Sequence, residues 1–280
     1  MKGTEINRRQ WLTAAGAAGF VAAAGLPGEA QAQAARKAGL QLYTVRASMA
    51  EDVEATLQAV AGIGYQEVEF AGYFDHSPAQ IRALLDRYGL VSPSAHASGG
   101  DLRSNMQGIV DAAAEVGHDY VTIAWMPPEM RRNADDWYRW VEDANRLGEL
   151  CRDAGMRAAY HNHDFEFQPV EGVVPFELLL AETDPTLVDF ELDFYWVKKG
   201  GQDILDTIET TGSRTTMAHI KDMDSEGNIA PVGAGTIDFA AILADPRAAS
   251  IRHPFVEHDH PKDPFRSIAY GHYSLTKALG

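Results

Sequence analysis

The amino-acid sequence predicts a single-domain α/β protein built as a (β/α)8 TIM barrel. From Gly39 onward, short apolar segments alternate strictly with amphipathic helical segments, which indicates a parallel sheet covered by helices. Eight such units in about 240 residues match a closed barrel, for which ~250 residues are typical. The alternative is an open doubly wound sheet. Its dinucleotide-binding form is disfavoured because the first strand–helix turn, "YTVRASMAED", lacks a glycine-rich phosphate loop.

Eight apolar segments have the length and composition of buried parallel strands. In "GLQLYTV", "DYVTIAWM" and "TTMAHIKDM" the apolar residues give way to polar or aromatic side chains toward the carboxyl end. The predicted strands are residues 39–45, 65–72, 90–98, 119–126, 156–163, 187–197, 215–223 and 253–259.

Each predicted strand is followed by a segment with the apolar spacing of a helix. Ser77 stands as an N-cap before Pro78, and Asn133 or Asp135 caps the longest helix. The single cysteine, Cys151, lies in that long amphipathic helix and is interpreted as a small buried side chain rather than a catalytic thiol. The predicted helices are residues 52–64, 77–89, 105–117, 133–155, 175–183, 203–212, 238–246 and 263–279.

The N-terminal segment is predicted to lie outside the fold. Arg8 and Arg9 precede a short Ala/Gly-rich apolar run, and "AQA" follows at residues 30–32, so the segment has the parts of an export signal. The arginine pair resembles a twin-arginine (Tat) signal. The apolar run is shorter than the ~20 residues that a membrane span needs. We predict a Tat-like signal peptide at residues 1–34, a barrel at residues 35–280, and export to the periplasm by the Tat pathway.

The charge of the chain restricts its partners. The formal net charge is -16, so a nucleic-acid backbone or an anionic membrane surface would be repelled. Hydrophobic residues make up 45% of the chain, which is enough for a sizeable core. We expect no nucleic-acid partner and no stable membrane span, and a homo-oligomer is possible.

Titratable side chains gather at the carboxyl ends of the last four predicted strands, where a (β/α)8 barrel builds its active site. His161, Asp193, His219 and Glu257 lie near the ends of strands five to eight. One such residue alone is often structural, but chance seldom places four on consecutive strands at the functional end. A mixed imidazole and carboxylate set suits a divalent metal such as Mn, Co, Zn or Fe. We therefore predict that these four residues bind a divalent metal cofactor.

Several motifs, taken together, resemble one protein family. They are "GLQLYTVR", "EVEFAG", "YHNHDFEF", "HIKDMD", "VGAGTIDF" and "FVEHD". With them, residues 38–279 resemble the sugar phosphate isomerase/epimerase superfamily, also called xylose-isomerase-like TIM barrels. The resemblance implies a single barrel domain, a divalent metal and a small-molecule carbohydrate as substrate.

The resemblance also implies which residues bind the metal. The usual ligands of the family are Glu, Asp, His and Glu from strands five to eight. The last three fall on Asp193, His219 and Glu257, whereas the strand-five glutamate falls on His161. An imidazole would therefore replace one carboxylate of the metal site.

This replacement affects the expected chemistry. Family epimerases use the two metal-binding glutamates as a proton-shuttling pair, and Glu257 is the one that remains here. A metal-bound histidine cannot easily accept a proton, because its lone pair is on the metal. We predict a separate base, with His163, Glu166 and Lys221 as candidates. His163 and Glu166 also stay open as the strand-five metal ligand.

The predicted function is that of a metal-dependent isomerase or epimerase. It would abstract a proton next to a metal-held carbonyl of a sugar or keto-sugar. A lyase or hydrolase of 3-keto-glycosides could use the same site, and an exported sugar-binding protein without catalysis is a further alternative. The residues predicted to bind substrate, all near strand ends, are Gln41, Tyr43, Glu69, His96, Trp125 and Trp196.

Overall fold

The computed structural model describes residues 36–280. The predicted signal peptide lies outside these residues and stays a prediction. The described chain folds into a closed barrel of eight parallel strands, which confirms the predicted (β/α)8 fold. Each strand pairs with the next one in sequence, and β8 closes onto β1. The strands are β1 (Gly39–Gln41), β2 (Glu67–Phe70), β3 (Val91–Ser98), β4 (Tyr120–Trp125), β5 (Arg157–His161), β6 (Val188–Asp193), β7 (Thr215–Ile220) and β8 (His253–Val256).

Ten α-helices surround this barrel within residues 36–280. Ser77 forms a capping box with Gln80, and Asn133 caps the longest helix, as predicted. None of the described helices is long and apolar enough to cross a membrane. The helices are α1 (Arg46–Glu51), α2 (Val53–Ile63), α3 (Pro78–Tyr88), α4 (Gly99–Val116), α5 (Ala134–Asp153), α6 (Pro175–Glu182), α7 (Phe194–Lys199), α8 (Ile204–Thr211), α9 (Phe239–Ala244) and α10 (Pro264–Leu279).

A small apolar layer separates from the main core and fills the barrel interior. It consists of Tyr120, Ala159, Met217 and Phe255, from β4, β5, β7 and β8. A side chain at Gly39 of β1 would overlap the Phe255 ring, so glycine is required at that position. Because side chains alternate along a strand, the residue two positions beyond each layer member points into the barrel one step nearer the carboxyl end. The layer therefore forms an apolar floor under the polar residues described below.

The sixth predicted strand extends to residue 197, and this is wrong. Strand β6 ends at Asp193, and the following residues form the short helix α7. The Asp193 carboxylate accepts a hydrogen bond from the Trp196 backbone N–H at 2.9 Å and so caps this helix. A local cap thus outweighs the strand preference of Phe194, Tyr195 and Trp196.

The seventh predicted strand is interrupted, and a loop held by one carboxylate follows it. Strand β7 ends at Ile220, and Asp222–Met223 pairs instead with Ile229–Ala230 in a small antiparallel hairpin. The buried Asp222 carboxylate accepts hydrogen bonds of 2.8–3.2 Å from the backbone N–H groups of Met223, Gly233, Gly235 and Ile237. This single side chain therefore organises the loop that includes the "VGAGTIDF" motif.

The substitution Asp222→Asn should lower the free energy of unfolding by about 3 kcal/mol, since an amide N–H₂ would face backbone donors and charge-assisted bonds would be lost. Urea denaturation followed by circular dichroism measures this change. The control is Asp224→Asn in the same loop, whose more exposed carboxylate bonds Glu226 and Asn228. An equal loss in both variants would contradict the role assigned to Asp222.

Candidate active site at the carboxyl ends of the strands

A cavity of about 680 Å³ opens at the carboxyl ends of the strands. Its lining includes His96, His161, His163, Lys221 and Glu257, which the sequence predicts as site residues. The cavity is large enough for a monosaccharide or a small glycoside. The polar side chains lie above the apolar floor, so the site is at the end of the barrel where the fold builds function.

Three of the four predicted metal ligands come together in a buried group, which we call the outer cluster: Asp193, His219 and Glu257. One ligand atom from each lies within 4.8 Å of the others. His219 Nδ1 is 2.7 Å from Glu257 Oε2 and 4.0 Å from Asp193 Oδ2. The register that pairs Asp193 with His219 across β6 and β7 brings them side by side. Two carboxylates and one imidazole fit a divalent first-row metal.

The fourth predicted ligand, His161, groups with different residues. His96, His161, Glu191 and His219 form the inner cluster, in which the ligand atoms again lie within 4.8 Å of one another. Glu191 Oε2 is 2.6 Å from His96 Nε2, 3.3 Å from His219 Nε2 and 3.5 Å from His161 Nδ1. The two clusters share His219, whose two ring nitrogens face opposite groups.

Glu191 is a site residue that the sequence prediction missed. It lies two positions before Asp193 in "FELDFY", so both side chains point to the same face of β6. The available signal was the alternation of acidic and apolar residues in β6, where Asp189, Glu191 and Asp193 occupy every second position. The predicted site was confined to the strand ends, and Glu191 lies one step deeper in the barrel, opposite His161 in the β5–β6 register.

Gln41 and Glu69, predicted to bind substrate, lie beneath the cavity rather than on its lining. Glu69 Oε2 accepts a hydrogen bond from Gln41 Nε2 at 2.7 Å and lies 2.7 Å from His219 Nε2. It is also 3.3 Å from His96 Nε2. Glu69 therefore contacts the inner cluster and Gln41 contacts Glu69, and the substrate-binding role of both stays a prediction.

Attraction to carboxylates decides the protonation of His219. Burial by itself would lower the pKa of His219, but Glu191 and Glu257 outweigh it and hold the pKa well above its ordinary value. In the metal-free chain, His219 is therefore an imidazolium that links the two clusters. A metal ion would have to replace that proton on the ring nitrogen it binds.

Lys221 is a buried ammonium beside the outer cluster. Its Nζ lies 3.0 Å from Asp193 Oδ2, 2.8 Å from Glu257 Oε2 and 2.8 Å from Asp259 Oδ1. Burial favours the neutral amine, but attraction to the three carboxylates outweighs burial and raises the pKa of Lys221 well above its ordinary value. A lysine in this state can donate a proton or stabilise an oxyanion, whereas the sequence suggested it as a base.

His163 lines the same cavity as a neutral imidazole. Burial lowers its pKa well below the ordinary value, and the nearby His161 and Lys221 lower it further. Its ring stacks on Phe165, with the ring centres 5.3 Å apart and an angle of 9° between the planes. A neutral imidazole has one ring nitrogen with a free lone pair, which can accept a hydrogen bond from a ligand in the cavity, and the role of His163 as a base stays a prediction.

Glu166, the remaining candidate base, is turned away from the cavity. Its Oε1 accepts a hydrogen bond from Tyr160 Oη at 2.9 Å, and its Oε2 accepts one from the His163 backbone N–H at 2.8 Å. Burial raises the pKa of Glu166 to about 8. These contacts fix the turn that carries His163, and a direct catalytic role for Glu166 stays a prediction.

Aromatic side chains surround the cavity above the clusters. Tyr43, Trp125 and Trp196, all predicted to bind substrate, line it. Tyr43 and Trp125 are 40% and 44% exposed, and the Arg46 guanidinium lies 4.0 Å from the centre of the Tyr43 ring. Flat aromatic faces of this kind can pack against the apolar face of a sugar ring.

The model of the family described as xylose isomerase-like TIM barrel matches residues 57–264, which is well over half of the chain. The chain belongs to this family. The resemblance inferred from the motifs is therefore confirmed, and the two clusters lie where xylose isomerase-like barrels are expected to carry their active sites.

Several relatives of this xylose isomerase-like barrel are known. It is 26% identical to an inosose dehydratase of Geobacillus kaustophilus in an alignment of 230 residues, and the match covers 67% of this chain and 73% of that protein. A crystal structure described as a sugar phosphate isomerase/epimerase from Parabacteroides distasonis is 27% identical, with a TM-score of 0.74, covering 88% of this chain and 95% of the other. A zinc-bound IolI protein has a TM-score of 0.68 at 13% identity, which shows the fold alone, covering 87% of this chain and 98% of the other.

Proposed function

We propose that this chain is a metal-dependent lyase that acts on keto-sugars or related keto-polyols. It would remove a proton next to the carbonyl and expel the oxygen on the following carbon. The observation that carries the proposal is geometric: the His163 imidazole and the Lys221 side chain, whose Nζ contacts the outer cluster, line one cavity. Such an acid–base pair of unlike groups suits an elimination, which needs one base and one acid.

The outer cluster would hold the metal. Asp193, His219 and Glu257 supply the donor types that Mn, Co, Zn and Fe accept, and three protein ligands leave room for substrate. When bound, such an ion polarises a carbonyl and stabilises the negative charge that forms when the adjacent proton leaves. The inosose dehydratase relative supports an elimination of this kind.

The two cavity residues would move the protons. His163 accepts the proton as the C–H bond breaks and a carbon–carbon double bond forms. Lys221 donates a proton from Nζ to the departing oxygen as the C–O bond breaks, so water or an alcohol leaves. Asp193, Glu257 and Asp259 hold the ammonium in place, and solvent then carries a proton from His163 back to Lys221.

An isomerase or epimerase is the second candidate, because it shares the first step of this reaction. The 27% identical relative described as a sugar phosphate isomerase/epimerase favours it. In this case the proton would return to carbon rather than pass to a leaving oxygen. Within residues 36–280, the cavity lining has one glutamate, Glu257, and so lacks the glutamate pair of family epimerases, since His161 stands where the strand-five glutamate is expected.

Incubation with keto-sugars, inososes and 3-keto-glycosides in D₂O separates the two candidates. Mass spectrometry should show products that have lost water or the glycosidic alcohol. An isomerase or epimerase would instead give products with the same atoms as the substrate, except for deuterium on carbon.

In the variant His163→Gln, the turnover should fall by about 10²–10⁴-fold, while the metal content should stay at the wild-type level. The proposed function fails if none of these substrates changes.

Removal of the metal should stop the reaction. Treatment with a chelator is expected to lower kcat by more than about 100-fold, because a Lewis acid contributes several kcal/mol to charge stabilisation. Dialysis against Mn, Co, Zn or Fe salts should restore turnover, and metal analysis at each step relates activity to ion content. Unchanged turnover in metal-free protein would contradict the proposal.

A further inference from the structure

The imidazole of His219 stands between two sets of acidic groups. On its Nδ1 side, Glu257 Oε2 lies at 2.7 Å, within the outer cluster. On its Nε2 side, Glu69 Oε2 lies at 2.7 Å and Glu191 Oε2 at 3.3 Å, within or beside the inner cluster. The metal of the proposed function uses the Nδ1 side alone, so the donors on the Nε2 side have no assigned role.

The inner cluster and the adjacent Glu69 contain buried atoms without hydrogen bonds. Among residues 36–280, His161 Nδ1, Glu191 Oε1 and Glu69 Oε1 are buried and have no hydrogen-bond partner. His161 Nδ1 is 3.5 Å from Glu191 Oε2, too long for a good hydrogen bond. Burying polar atoms in this state is costly unless another group, such as a cation, satisfies them.

The charge of the barrel interior also indicates a cation at the inner cluster. One ammonium, that of Lys221, lies among five carboxylates: Glu69, Glu191, Asp193, Glu257 and Asp259. When the histidines are neutral, four negative charges therefore remain. A divalent ion in the outer cluster compensates two of them. The other two belong to Glu69 and Glu191, which are both fully buried. A second dication between His96, His161 and Glu191 would compensate these.

We infer that the inner cluster is a second divalent-cation site, with His96, His161, Glu191 and Nε2 of His219 as ligands. The His219 ring would bridge the two ions after its imidazolium has lost both N–H protons. Three imidazoles and one carboxylate favour Zn²⁺ or another ion that prefers nitrogen ligands. The outer cluster has more carboxylate oxygen, so the two sites should differ in ion preference. The inference goes beyond the proposed function, which requires the outer ion alone.

Metal stoichiometry tests the inference. The chain is stripped with a chelator, loaded with Zn²⁺ and passed over a desalting column before elemental analysis. Wild type should retain two ions per chain, and Glu191→Gln and Asp193→Asn should each retain one. The control is Glu67→Gln, which changes a β2 glutamate paired with His253 at the amino end of the barrel and should keep two ions.

A second variant and a spectroscopic measurement distinguish the loss of the inner site from misfolding of the variant. His96→Asn changes a side chain that is 11% exposed, and it should also retain one ion and a native circular dichroism spectrum. Loading wild type with Co²⁺ should give an electron paramagnetic resonance signal of two interacting ions, which both inner-cluster variants should lose.

The inference is overturned if wild type retains one ion, or if two ions persist in Glu191→Gln and His96→Asn. A single ion that Asp193→Asn loses removes the inner site and leaves the proposed function intact. A single ion that Asp193→Asn keeps and Glu191→Gln loses removes both the bridged pair and the proposed metal ligands. No retained ion removes both proposals.

Discussion

The substitution Lys221→Met should lower kcat by about 10²–10⁴-fold, the contribution expected of a general acid. Methionine keeps the length of the side chain but cannot protonate the departing oxygen. The metal content should stay at the wild-type level, because loss of a neighbouring positive charge makes Asp193 and Glu257 stronger ligands. Steady-state kinetics and metal analysis on the same preparation measure both effects.

Lys221→Met should also destabilise the metal-free protein. Three carboxylates would lose a common partner, and breaking a buried charge pair costs about 3–5 kcal/mol. A divalent ion in the outer cluster should restore part of this loss, so the difference in melting temperature from wild type should shrink on metal loading. Differential scanning calorimetry with and without metal tests this.

The control for Lys221→Met is Lys199→Met. Lys199 is an exposed lysine at the end of α7, and its Nζ donates to the Gly227 carbonyl at 2.9 Å. This change should leave kcat and stability close to wild type. If Lys221→Met were as active as Lys199→Met, the role of Lys221 as the proton donor would be wrong.

The substitution His219→Ala should remove both turnover and metal binding. His219 is fully buried and is the residue that the two clusters share, so its loss deprives both groups of a ligand at once. We expect kcat to fall by at least about 10⁴-fold, as when a group that organises a whole catalytic site is removed. The purified variant should contain less than one ion per chain.

His253→Ala is the matched control for His219→Ala. His253 begins β8 at the opposite end of the barrel and pairs with Glu67 at 2.8 Å. This variant should keep its metal and its turnover, although it loses a partly buried contact. Near-ultraviolet circular dichroism of both variants shows whether they fold. Metal-bound, active His219→Ala would contradict the assignment of both clusters.

The alternation of strands and helices predicted the barrel because each unit is encoded locally. The grouping of Asp193, His219 and Glu257 could be predicted because all three lie near strand ends, and the family motifs supported the same positions; their role as metal ligands stays a prediction. Glu191 was missed because alternation reveals which face a residue occupies but not its depth. Depth depends on the register between strands, such as His161 beside Glu191, and that register is set by contacts distant in sequence.

The ionic contacts of Lys221 were also beyond the sequence prediction. The pattern placed Lys221 on the same face as His219, which made it a candidate base. Its charge state depends on Asp193, Glu257 and Asp259, which come from two other strand ends. Helix α7 could have been anticipated from Asp193 as an N-cap, but the aromatic run that follows favoured a strand.

The apolar floor also determines how ions and reactants reach the clusters. It consists of Tyr120, Ala159, Met217 and Phe255. With this layer closing the barrel from below, ions, protons and reactants must reach the clusters through the mouth where Tyr43 and Trp125 lie. A bound sugar would therefore block the opening of the cavity above the metal site. Chelators should strip the ion more slowly from the occupied enzyme, and each product must depart before the next reactant enters.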